Sequence, residues 1–351
     1  MIGWYIHHQG RGHLHRALTL AAHLGPEMPV TGLSSLPAPA GWPGEWVRLA
    51  PDWEGSGGPP PREPDAGGAL HWAPLGHPGM RERSAQISAW IRETAPELFI
   101  ADVSVEAALL ARLHGVPVVT VALPGDRTDP PHQLGRRISE AVLGFWPEAA
   151  EGIFRGPGFH ERGPRETGAG SAPPFYALGG LSRFAPEETT TPPAQDHGEH
   201  VLVLNGGGGG ELPEEALAAI REARPQATVT VLGAGGSWTD GPWSLLRQAD
   251  VVVTSAGQNS VAEVAASRTP AVVLAQERPY EEQAYMRQAL TAGPWPAVAA
   301  PAGNTAAAWG RALQEAMALD GDGWASWCDG RTTQRFLTAL EEIRGRAGKT
   351  S

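Results

Sequence analysis

The sequence predicts an α/β fold of two Rossmann-like domains, each a doubly wound parallel sheet, that face each other across a cleft. Short, continuous apolar runs alternate with helical stretches, which is typical of parallel strands covered on both faces. This pattern occurs twice, first over about 1–125 and again from Val201. Between the two sets, residues 184–200 are rich in Pro, Thr and charged residues, as interdomain linkers are. Together these observations favour two domains over one.

The predicted strands are short apolar runs. In chain order they cover residues 4–6, 98–101, 116–122, 201–204, 228–232, 250–254 and 270–275. Apolar residues at helical spacing lie between them, for example over 105–114 and 261–267. A Gly- and Pro-rich insert, 51–68, is predicted to be a flexible loop.

These elements set the predicted domain boundaries. Residues 1–183 form a first domain, 184–200 a linker, and 201–325 a second domain. The last segment, 326–351, contains an amphipathic helical pattern that can pack on either domain, including back on the first. In such a pair of open sheets, ligands bind at the carboxyl ends of the strands, so the cleft is the expected site.

Composition excludes several classes of function. The 351 residues include 27 Lys and Arg against 38 Asp and Glu, a net charge of −11, which disfavours nucleic-acid binding. A single cysteine, Cys328, leaves no internal disulfide and no multi-cysteine metal cluster. The chain starts directly in a predicted strand, without a signal segment, and has no membrane-spanning apolar run. A cytoplasmic protein with at most peripheral membrane contact is expected.

The first strand ends in a glycine-bearing turn, Gly10, Arg11 and Gly12, which leads into a helix. This is the layout of a nucleotide-binding βα unit. However, His15 stands where a dinucleotide-binding turn has its third glycine, and no acidic residue ends the next strand to hold a ribose. An NAD(P)-dependent oxidoreductase is therefore disfavoured. His13, directly after the turn, requires another explanation.

Two stretches of the second half are suited to a diphosphate. Five glycines, including Gly206, Gly207 and Gly208, follow a strand and precede a helix, so that backbone N–H groups can approach an anion. A loose turn is the alternative. The second stretch has Ser255, Gly257, Gln258, Asn259 and Ser260 at a strand-to-helix turn, where hydroxyl, amide and unpaired N–H groups converge.

Acidic and amide side chains follow at the same rim. Glu263 lies one turn into that helix, in reach of a ribose diol, and Glu282 and Gln283 follow the next strand. Taken alone, each of these residues favours a structural role in a solvated loop or a capped helix. Together with the turn that suits a diphosphate, they indicate a nucleotide.

Residues 254–283 resemble the donor-binding region of GT-B glycosyltransferases, both the MurG-like enzymes and the plant-type UDP-sugar transferases. "SAGQNSVAE" is similar to their pattern H-C-G-W-N-S-x-x-E at Gly257, Asn259, Ser260 and Glu263, and "EEQ" is similar to their sugar-binding pair at Glu282 and Gln283. Trp238 lies near the position of a uracil-stacking tryptophan. Ser255 replaces the family's phosphate-binding histidine.

The resemblance also implies a role for the first turn. "GRGH", residues 10–13, is similar to the glycine turn and histidine of the first domain in these enzymes, where the histidine is the general base. Imidazole titrates near neutral pH and suits that role. Asp102, at the end of a predicted strand, matches the family's strand-end aspartate and is predicted to pair with His13. The alternatives are a helix N-cap for Asp102 and an anion site for His13.

Other patterns are given weaker interpretations. Residues 130–149 are predicted to be a covering helix, or alternatively a patch that sits on a membrane surface. His71 and His77 can line the acceptor side. His7, His8 and His15 cluster with His13 but lack acidic partners nearby in sequence, and Asp320 and Asp322 fall in a turn, so no metal site is predicted.

The leading hypothesis is an inverting, metal-independent glycosyltransferase without a resident cofactor. It moves a hexose-type sugar from a nucleotide-sugar, expected to be a UDP-sugar, to a small-molecule, lipid-linked or polymeric acceptor. Two alternatives stay open on the same fold: a nucleotide-sugar epimerase or hydrolase, and a nucleotide-sugar-binding protein without turnover. The sequence names neither the sugar nor the acceptor.

Overall fold

The fold was analysed in a computed structural model, which describes residues 1–9, 11–53, 61–156, 172–186, 198–206, 210–233, 236–237 and 241–347. It is an α/β structure whose parallel sheets lie in two separate domains. The helices are α1 Gly12–Ala21, α2 Pro78–Thr94, α3 Val105–Leu113, α4 Pro130–Arg137, α5 Glu214–Ala223, α6 Trp243–Gln248, α7 Gln258–Ser267, α8 Glu282–Ala292, α9 Ala306–Met317 and α10 Thr332–Ala347. Short 3-10 turns cover Pro279–Glu281 and Gly321–Ser326.

The strands of the first domain are β1 Ile2–Ile6, β2 Val30–Ser34, β3 Glu45–Arg48, β4 Leu98–Asp102, β5 Val118–Ala122, β6 Gly125–Asp126, β7 Ala141–Gly144, β8 Phe154–Arg155 and β9 Phe175–Ala177. Seven of them form one sheet in the order β3-β2-β1-β4-β5-β7-β9, and every pair in it is parallel. The strand order reverses between β1 and β4. The two-residue strands β6 and β8 pair separately.

The second sheet has five parallel strands: β10 His200–Leu204, β11 Thr228–Leu232, β12 Val251–Ser255, β13 Ala271–Leu274 and β14 Ala297–Ala299. Their order is β11-β10-β12-β13-β14, so the reversal lies between β10 and β12. Ligands of open α/β sheets bind outside the carboxyl ends of the strands at such reversals. Each domain therefore has one expected ligand-binding position.

Continuous apolar runs produce this architecture because helices cover the sheets. All five residues of β1, β4, β10 and β12 are buried, as expected for strands with packed helices on both faces. Separate buried clusters lie on the two sides of the first sheet, one around Trp4 and one around Phe99. Because few side chains on these strands reach solvent, chemistry is confined to the strand ends and the helix starts.

The predicted helix over 130–149 is wrong. Only Pro130–Arg137 is helical, and Ala141–Gly144 is the sixth of the seven strands in the first sheet, which the sequence did not predict. Phe145 and Trp146, which follow that strand, are 2% and 0% exposed. The apolar residues of this stretch belong to the core, so they do not form a membrane-facing patch.

The last helix crosses back to the first domain. Phe336 of α10 lies 5.6 Å from Trp4, ring centre to ring centre, in a buried cluster with residues of β1 and β4. Trp327 and Cys328, just before α10, are buried in the cluster that contains Ala271 of the second sheet. Most of the predicted linker, 187–197, lies outside the described residues.

Candidate active site between the two domains

His13 and Asp102 meet at the strand reversal of the first sheet. Asp102 is the last residue of β4 and pairs in register with Ile6, the last residue of β1, while His13 is in the first turn of α1. Their side chains are joined by a contact of 2.9 Å between Nδ1 and Oδ1. Asp102 is fully buried, and the His13 side chain is 15% exposed. The N-cap of α3 is Ser104 and not Asp102, because the Ser104 side chain accepts from the N–H of Ala107.

Arg16, one turn after His13, holds the same carboxylate with two hydrogen bonds. Its Nε donates to Asp102 Oδ2 at 3.1 Å and its Nη2 to Oδ1 at 2.7 Å. Nη2 also lies 3.0 Å from His13 Nδ1, so both side chains converge on Oδ1. Arg16 is 5% exposed and its guanidinium lies over the Phe145 ring at 5.1 Å. This two-point arrangement orients the carboxylate more strictly than a single contact does.

The buried carboxylate stays ionised in this setting. Burial alone would raise the pKa of Asp102, but the positive charge of Arg16 and the contact with His13 outweigh it and hold that pKa well below its usual range. An ionised Asp102 can only accept hydrogen bonds, so His13 donates through Nδ1. In that tautomer the lone pair of His13 is on Nε2, which is the nitrogen able to take a proton.

A row of aromatic rings leads away from His13. His7 lies edge-on to His13 at 5.9 Å, His8 stacks on His7 at 4.7 Å, and Trp53 covers His8 at 4.2 Å. Burial, with neighbouring positive groups, lowers the pKa of His7 to about 3 and that of His8 to about 4. Both are therefore neutral at pH 7. His15 is outside this row.

The second domain presents the start of α7 to the cleft. The N-cap is Gly257, and no described side chain caps the helix. A Cβ placed on Gly257 would lie 3.9 Å from Ser260 Oγ and 4.0 Å from Ser255 Oγ, and one on Gly206 would lie 3.6 Å from Ser260 Oγ. Two hydroxyls and two glycines thus surround free helical N–H groups. Such a helix start attracts anions.

The two helix starts touch across the cleft. Arg16 Nη1 donates to Gln258 Oε1 at 3.0 Å, and Gln258 Nε2 donates to the carbonyl of Phe145 at 3.4 Å. A Cβ on Gly12 would lie 2.8 Å from Asn259 Nδ2, closer than carbon and nitrogen normally approach. Glycine at residue 12 therefore leaves room for the side-chain amide of Asn259. Arg11, beside it, is exposed.

Glu263 is paired with a residue from the segment that links the domains. Its Oε1 accepts from Arg183 Nε at 2.7 Å. Burial raises the pKa of Glu263 despite the attraction of Arg183. Arg183 lies over the Phe184 ring, which stacks on Trp243 at 5.0 Å. The carboxylate predicted to hold a ribose therefore has a cationic partner in this structure.

The other predicted sugar-binding residues lie at the start of α8. Glu282 forms an ion pair with Arg127 of the first domain at 3.7 Å, from Oε2 to Nη2. Gln283 is 5% exposed and its Oε1 accepts from the N–H of Gln276 at 2.9 Å. Gln276 Oε1 in turn accepts from the N–H of Gly210. Gln283 thus supports the turn that holds the end of the glycine loop.

Four predicted site residues, Gly10, Gly207, Gly208 and Trp238, lie outside the described part of the chain. Asp320 and His77, which the sequence analysis also considered, lie away from the strand ends. Asp320 caps the 3-10 turn Gly321–Ser326 by accepting from the N–H of Asp322. His77 caps α2 by accepting from the N–H of Met80.

Comparison with solved structures identifies the fold. The chain is similar to a kitacinnamycin glycotransferase (TM-score 0.62, 19% identity, 99% of this chain and 95% of that one). It is also similar to UGT2 of Phytolacca americana, complexed with UDP-2fluoro-glucose and pterostilbene (0.64, 14%, 98% and 99%), and to MurG of Acinetobacter baumannii (0.61, 15%, 97% and 99%). The chain has the GT-B fold. No sequence-family model and no curated protein matches it.

Sequence reasoning missed Arg16, and it missed the contact that Gln258 makes across this GT-B cleft. Arg16 and Gln258 bond to each other and connect the carboxylate of one domain to the helix start of the other. The available signal was the spacing of three between His13 and Arg16, which places both on one helix face. Gln258 was predicted to bind the donor, but no sequence pattern predicts its hydrogen bond to the other domain.

A cavity of about 50 Å³ opens in the first GT-B domain beside the Asp102 strand end. Val103, Thr120 and Phe154 contribute to its largely apolar wall, and Arg127 and His132 add polar groups. Val103 has φ of +62°, a left-handed conformation that strains a β-branched residue. Val103 therefore lies between Asp102 and the cavity.

Within the described residues, no helix is both long and apolar enough to span a bilayer.

Proposed function

We propose that this protein is an inverting glycosyltransferase that moves a hexose-type sugar from a nucleotide-sugar, in first place a UDP-sugar, to an acceptor hydroxyl. The observation that carries the proposal is the opposition of two sites across the cleft. The His13–Asp102 pair lies at the carboxyl end of the first sheet, where the strand order reverses. The serine-lined start of α7 lies at the corresponding position of the second sheet. One side can take a proton while the other holds an anion.

The proposed step uses the tautomer set by Asp102. His13 Nε2 takes the proton of the acceptor hydroxyl while that oxygen attacks the anomeric carbon from the face opposite the nucleotide. The bond from the anomeric carbon to the diphosphate oxygen breaks, its electron pair leaves with the nucleoside diphosphate, and the configuration inverts. A base positioned in this way contributes about 10²–10⁴-fold in rate.

The start of α7 stabilises the leaving group in the proposed step. The N–H groups of its first turn and the hydroxyls of Ser255 and Ser260 meet the charge that grows on the diphosphate. With these donors the proposed transfer is metal-independent at the donor site. Glu263 would exchange Arg183 for the ribose diol, and Glu282 would hold sugar hydroxyls. The acceptor would occupy the cavity beside Val103.

Ligand-induced stabilisation tests the donor site directly. A panel of nucleotides and nucleotide-sugars is added to wild-type protein, to Glu263→Ala, and to a control with an exposed glutamate of α5 changed, Glu222→Ala. A ligand at 100 times its dissociation constant adds about 2.7 kcal/mol of stability. We expect one nucleotide class to stabilise wild type and Glu222→Ala, and to stabilise Glu263→Ala much less.

Product analysis then separates transfer from the alternatives. Transfer requires a glycosylated product that forms only with acceptor present, also in EDTA. Release of free sugar or a changed sugar from donor alone would indicate a hydrolase or an epimerase. Donor binding without turnover across an acceptor panel would indicate a binding protein. Stabilisation by NAD(P) and by no other nucleotide would overturn the proposal.

A further inference from the structure

A second cluster of chemically active side chains lies in the first domain, away from the His13–Asp102 pair. His71 Nε2 is 2.9 Å from Asp129 Oδ2, and His132 Nδ1 makes a very short contact with Asp129 Oδ1. The two imidazole nitrogens, His71 Nε2 and His132 Nδ1, are 3.2 Å apart. Three potential ligand atoms therefore face one common point. His132 also lines the cavity beside Val103.

Protons leave one of the three contacts without a hydrogen bond. If both histidines donate to the two oxygens of an ionised Asp129, the separation of 3.2 Å between their nitrogens joins two donors and carries no hydrogen bond. If instead His71 donates to His132 Nδ1, that nitrogen is an acceptor and its contact with Asp129 joins two lone pairs. A cation at the common point can accept a lone pair from all three atoms.

The separation of the two imidazole nitrogens fits a small divalent metal ion, whereas both contacts of Asp129 are shorter than the spacing of ligands on such an ion. Imidazole nitrogens bind Zn²⁺ at about 2.0–2.1 Å, which places two ligands of a tetrahedral site about 3.3 Å apart. The observed separation of the two nitrogens is 3.2 Å. Two imidazoles and one carboxylate are a ligand set that Zn²⁺ takes, and three protein ligands leave one position of a tetrahedral ion open.

The ligands are held by the local structure. Asp129 and His132 are the N-cap residue and the third residue of α4, so helix geometry sets their spacing, and the Asp129 side chain makes no capping bond. The segment with His71 is fixed to α3, because Glu106 Oε1 accepts from the N–H groups of His71 and Trp72 at 2.7 and 3.1 Å. Preset ligands reduce the ordering cost of binding.

The cluster also borders the second domain. The ring of Tyr280 lies 5.6 Å from His71 and 4.8 Å from His132, in both cases edge-on. Arg127 Nη1 contacts His132 Nε2 at 3.4 Å, the longest polar contact of the group. Binding through Nδ1 places a proton on Nε2 and ends this contact, while Arg127 keeps two bonds to the carbonyl of Pro124.

We propose that His71, Asp129 and His132 form a binding site for one divalent transition-metal ion, with Zn²⁺ as the best match. The site is on the acceptor side of the cleft, separate from the α7 start proposed for the diphosphate. This inference does not depend on the proposed function, and its test measures binding alone.

The test titrates Co²⁺ and Zn²⁺ into full-length, tag-free protein that has been treated with a chelator. Calorimetry gives the stoichiometry and affinity, and the visible absorption of Co²⁺ reports a low-symmetry, four-coordinate site. We expect one equivalent to bind wild-type protein. Asp129→Asn keeps the side-chain shape, and we expect it and His132→Ala to weaken binding by more than about 100-fold, since even outer-sphere changes cost about 10–100-fold.

Two histidine variants outside the cluster serve as controls. His23→Ala removes an exposed histidine, and His8→Ala removes one from the row beside His13. Both are expected to bind the metal as wild type does, and unchanged circular dichroism shows that all variants fold. The proposal is overturned if wild-type protein binds no stoichiometric metal, if Asp129→Asn binds equally well, or if binding disappears in His8→Ala.

Discussion

Arg16 connects groups that lie far apart in the sequence. It is three residues from His13, 86 from Asp102 and 242 from Gln258, and it contacts all of them. A buried carboxylate without a partner is costly, so Arg16 is what allows Asp102 to be ionised inside the domain. The state of the proposed base therefore depends on a residue that also contacts the opposite domain.

His13 is predicted to act on the rate and not on donor binding. For His13→Gln we expect kcat to fall by about 10²–10⁴-fold, because the proton acceptor is lost. Stabilisation by the nucleotide-sugar should be unchanged, because the donor is bound by the second domain. Steady-state kinetics and thermal shift measure the two effects, with His23→Ala as a control. A variant that retains wild-type kcat would rule out His13 as the base.

Arg16→Lys keeps the charge but loses the two-point contact with Asp102 and the bond to Gln258. Breaking buried ion pairs costs about 3–5 kcal/mol, and a retained ammonium recovers part of that, so we expect a loss of about 1–3 kcal/mol in unfolding free energy. The rate should fall as well, because Asp102 is less well oriented. Urea denaturation and kcat are compared with Arg92→Lys, an exposed arginine of α2. If Arg16→Lys and Arg92→Lys have equal stability and equal kcat, the proposed role of Arg16 in orienting Asp102 is contradicted.

His7 predicts a pH dependence of stability. Burial lowers its pKa to about 3 from an ordinary 6.5, so between these values the unfolded chain binds a proton that the folded protein does not. Its stabilising contribution is complete above about pH 6.5 and is lost as the pH falls, by up to about 1.4 kcal/mol per pH unit. Urea denaturation at pH 7, 6 and 5 should show a smaller slope for His7→Asn than for wild type or His23→Ala. An unchanged slope would show that His7 is not buried as a neutral group.

At the scale of elements, the helix starts carry the chemistry. The starts of α1 and α7 meet across the cleft, and each follows a strand that borders the reversal of its sheet. Tyr280 and Glu281 lie just before α8, and both have positive φ. This conformation is strained for residues other than glycine. That turn brings Tyr280 against His71 and His132. Local geometry at helix starts thus decides which side chains enter the cleft.

Gly12→Ala tests the contact between α1 and α7. Alanine favours helix by up to about 1 kcal/mol over glycine, so stability should rise or stay the same. The new Cβ would lie 2.8 Å from Asn259 Nδ2, so this side-chain amide must shift, and kcat/KM should fall, by as much as about 100-fold where the shift displaces the reacting groups by about 1 Å. Gly25→Ala is the matched control, because a Cβ there meets nothing within 4 Å. A fully active Gly12→Ala protein would contradict this contact.

At the scale of the whole molecule, two chain segments cross between the domains side by side. Gly180 N–H donates to the carbonyl of Trp327 at 2.7 Å, and Thr332 Oγ1 donates to the carbonyl of Gly180 at 2.8 Å. A Cβ on Gly180 would lie 2.7 Å from the Trp327 ring, so glycine permits this packing. These contacts hold the segment around Gly180 against the segment that leads into α10.

Phe336→Ala tests how far α10 belongs to the first domain. Phe336 is fully buried against Trp4, and truncation of such a side chain costs about 3–5 kcal/mol. Because two domains need not unfold together, we expect calorimetry to show a lower unfolding temperature for the first domain and little change for the second. Glu341→Ala, on the exposed side of the helix, is the control. A loss confined to the second domain would contradict this packing.

The sequence by itself determined the fold class, the repetition of the α/β pattern and the turns at residues 10–13 and 254–263. These features are local, because continuous apolar runs and glycine turns have the same meaning in any chain. The strand at 141–144 was missed because a short apolar run just after a helix has no distinct period. The residues around it could be assigned only when the sheet showed which neighbour they pair with.

The tertiary structure decided which distant side chains meet. The strand order brings Asp102 beside His13, the domain contact brings Gln258 to Arg16, and the start of α4 brings Asp129 and His132 to His71. No periodicity encodes these contacts, since each joins residues 58 or more positions apart whose separation in space depends on sheet order and domain docking. Local composition therefore predicts that a cleft exists, and long-range packing decides which groups act in it.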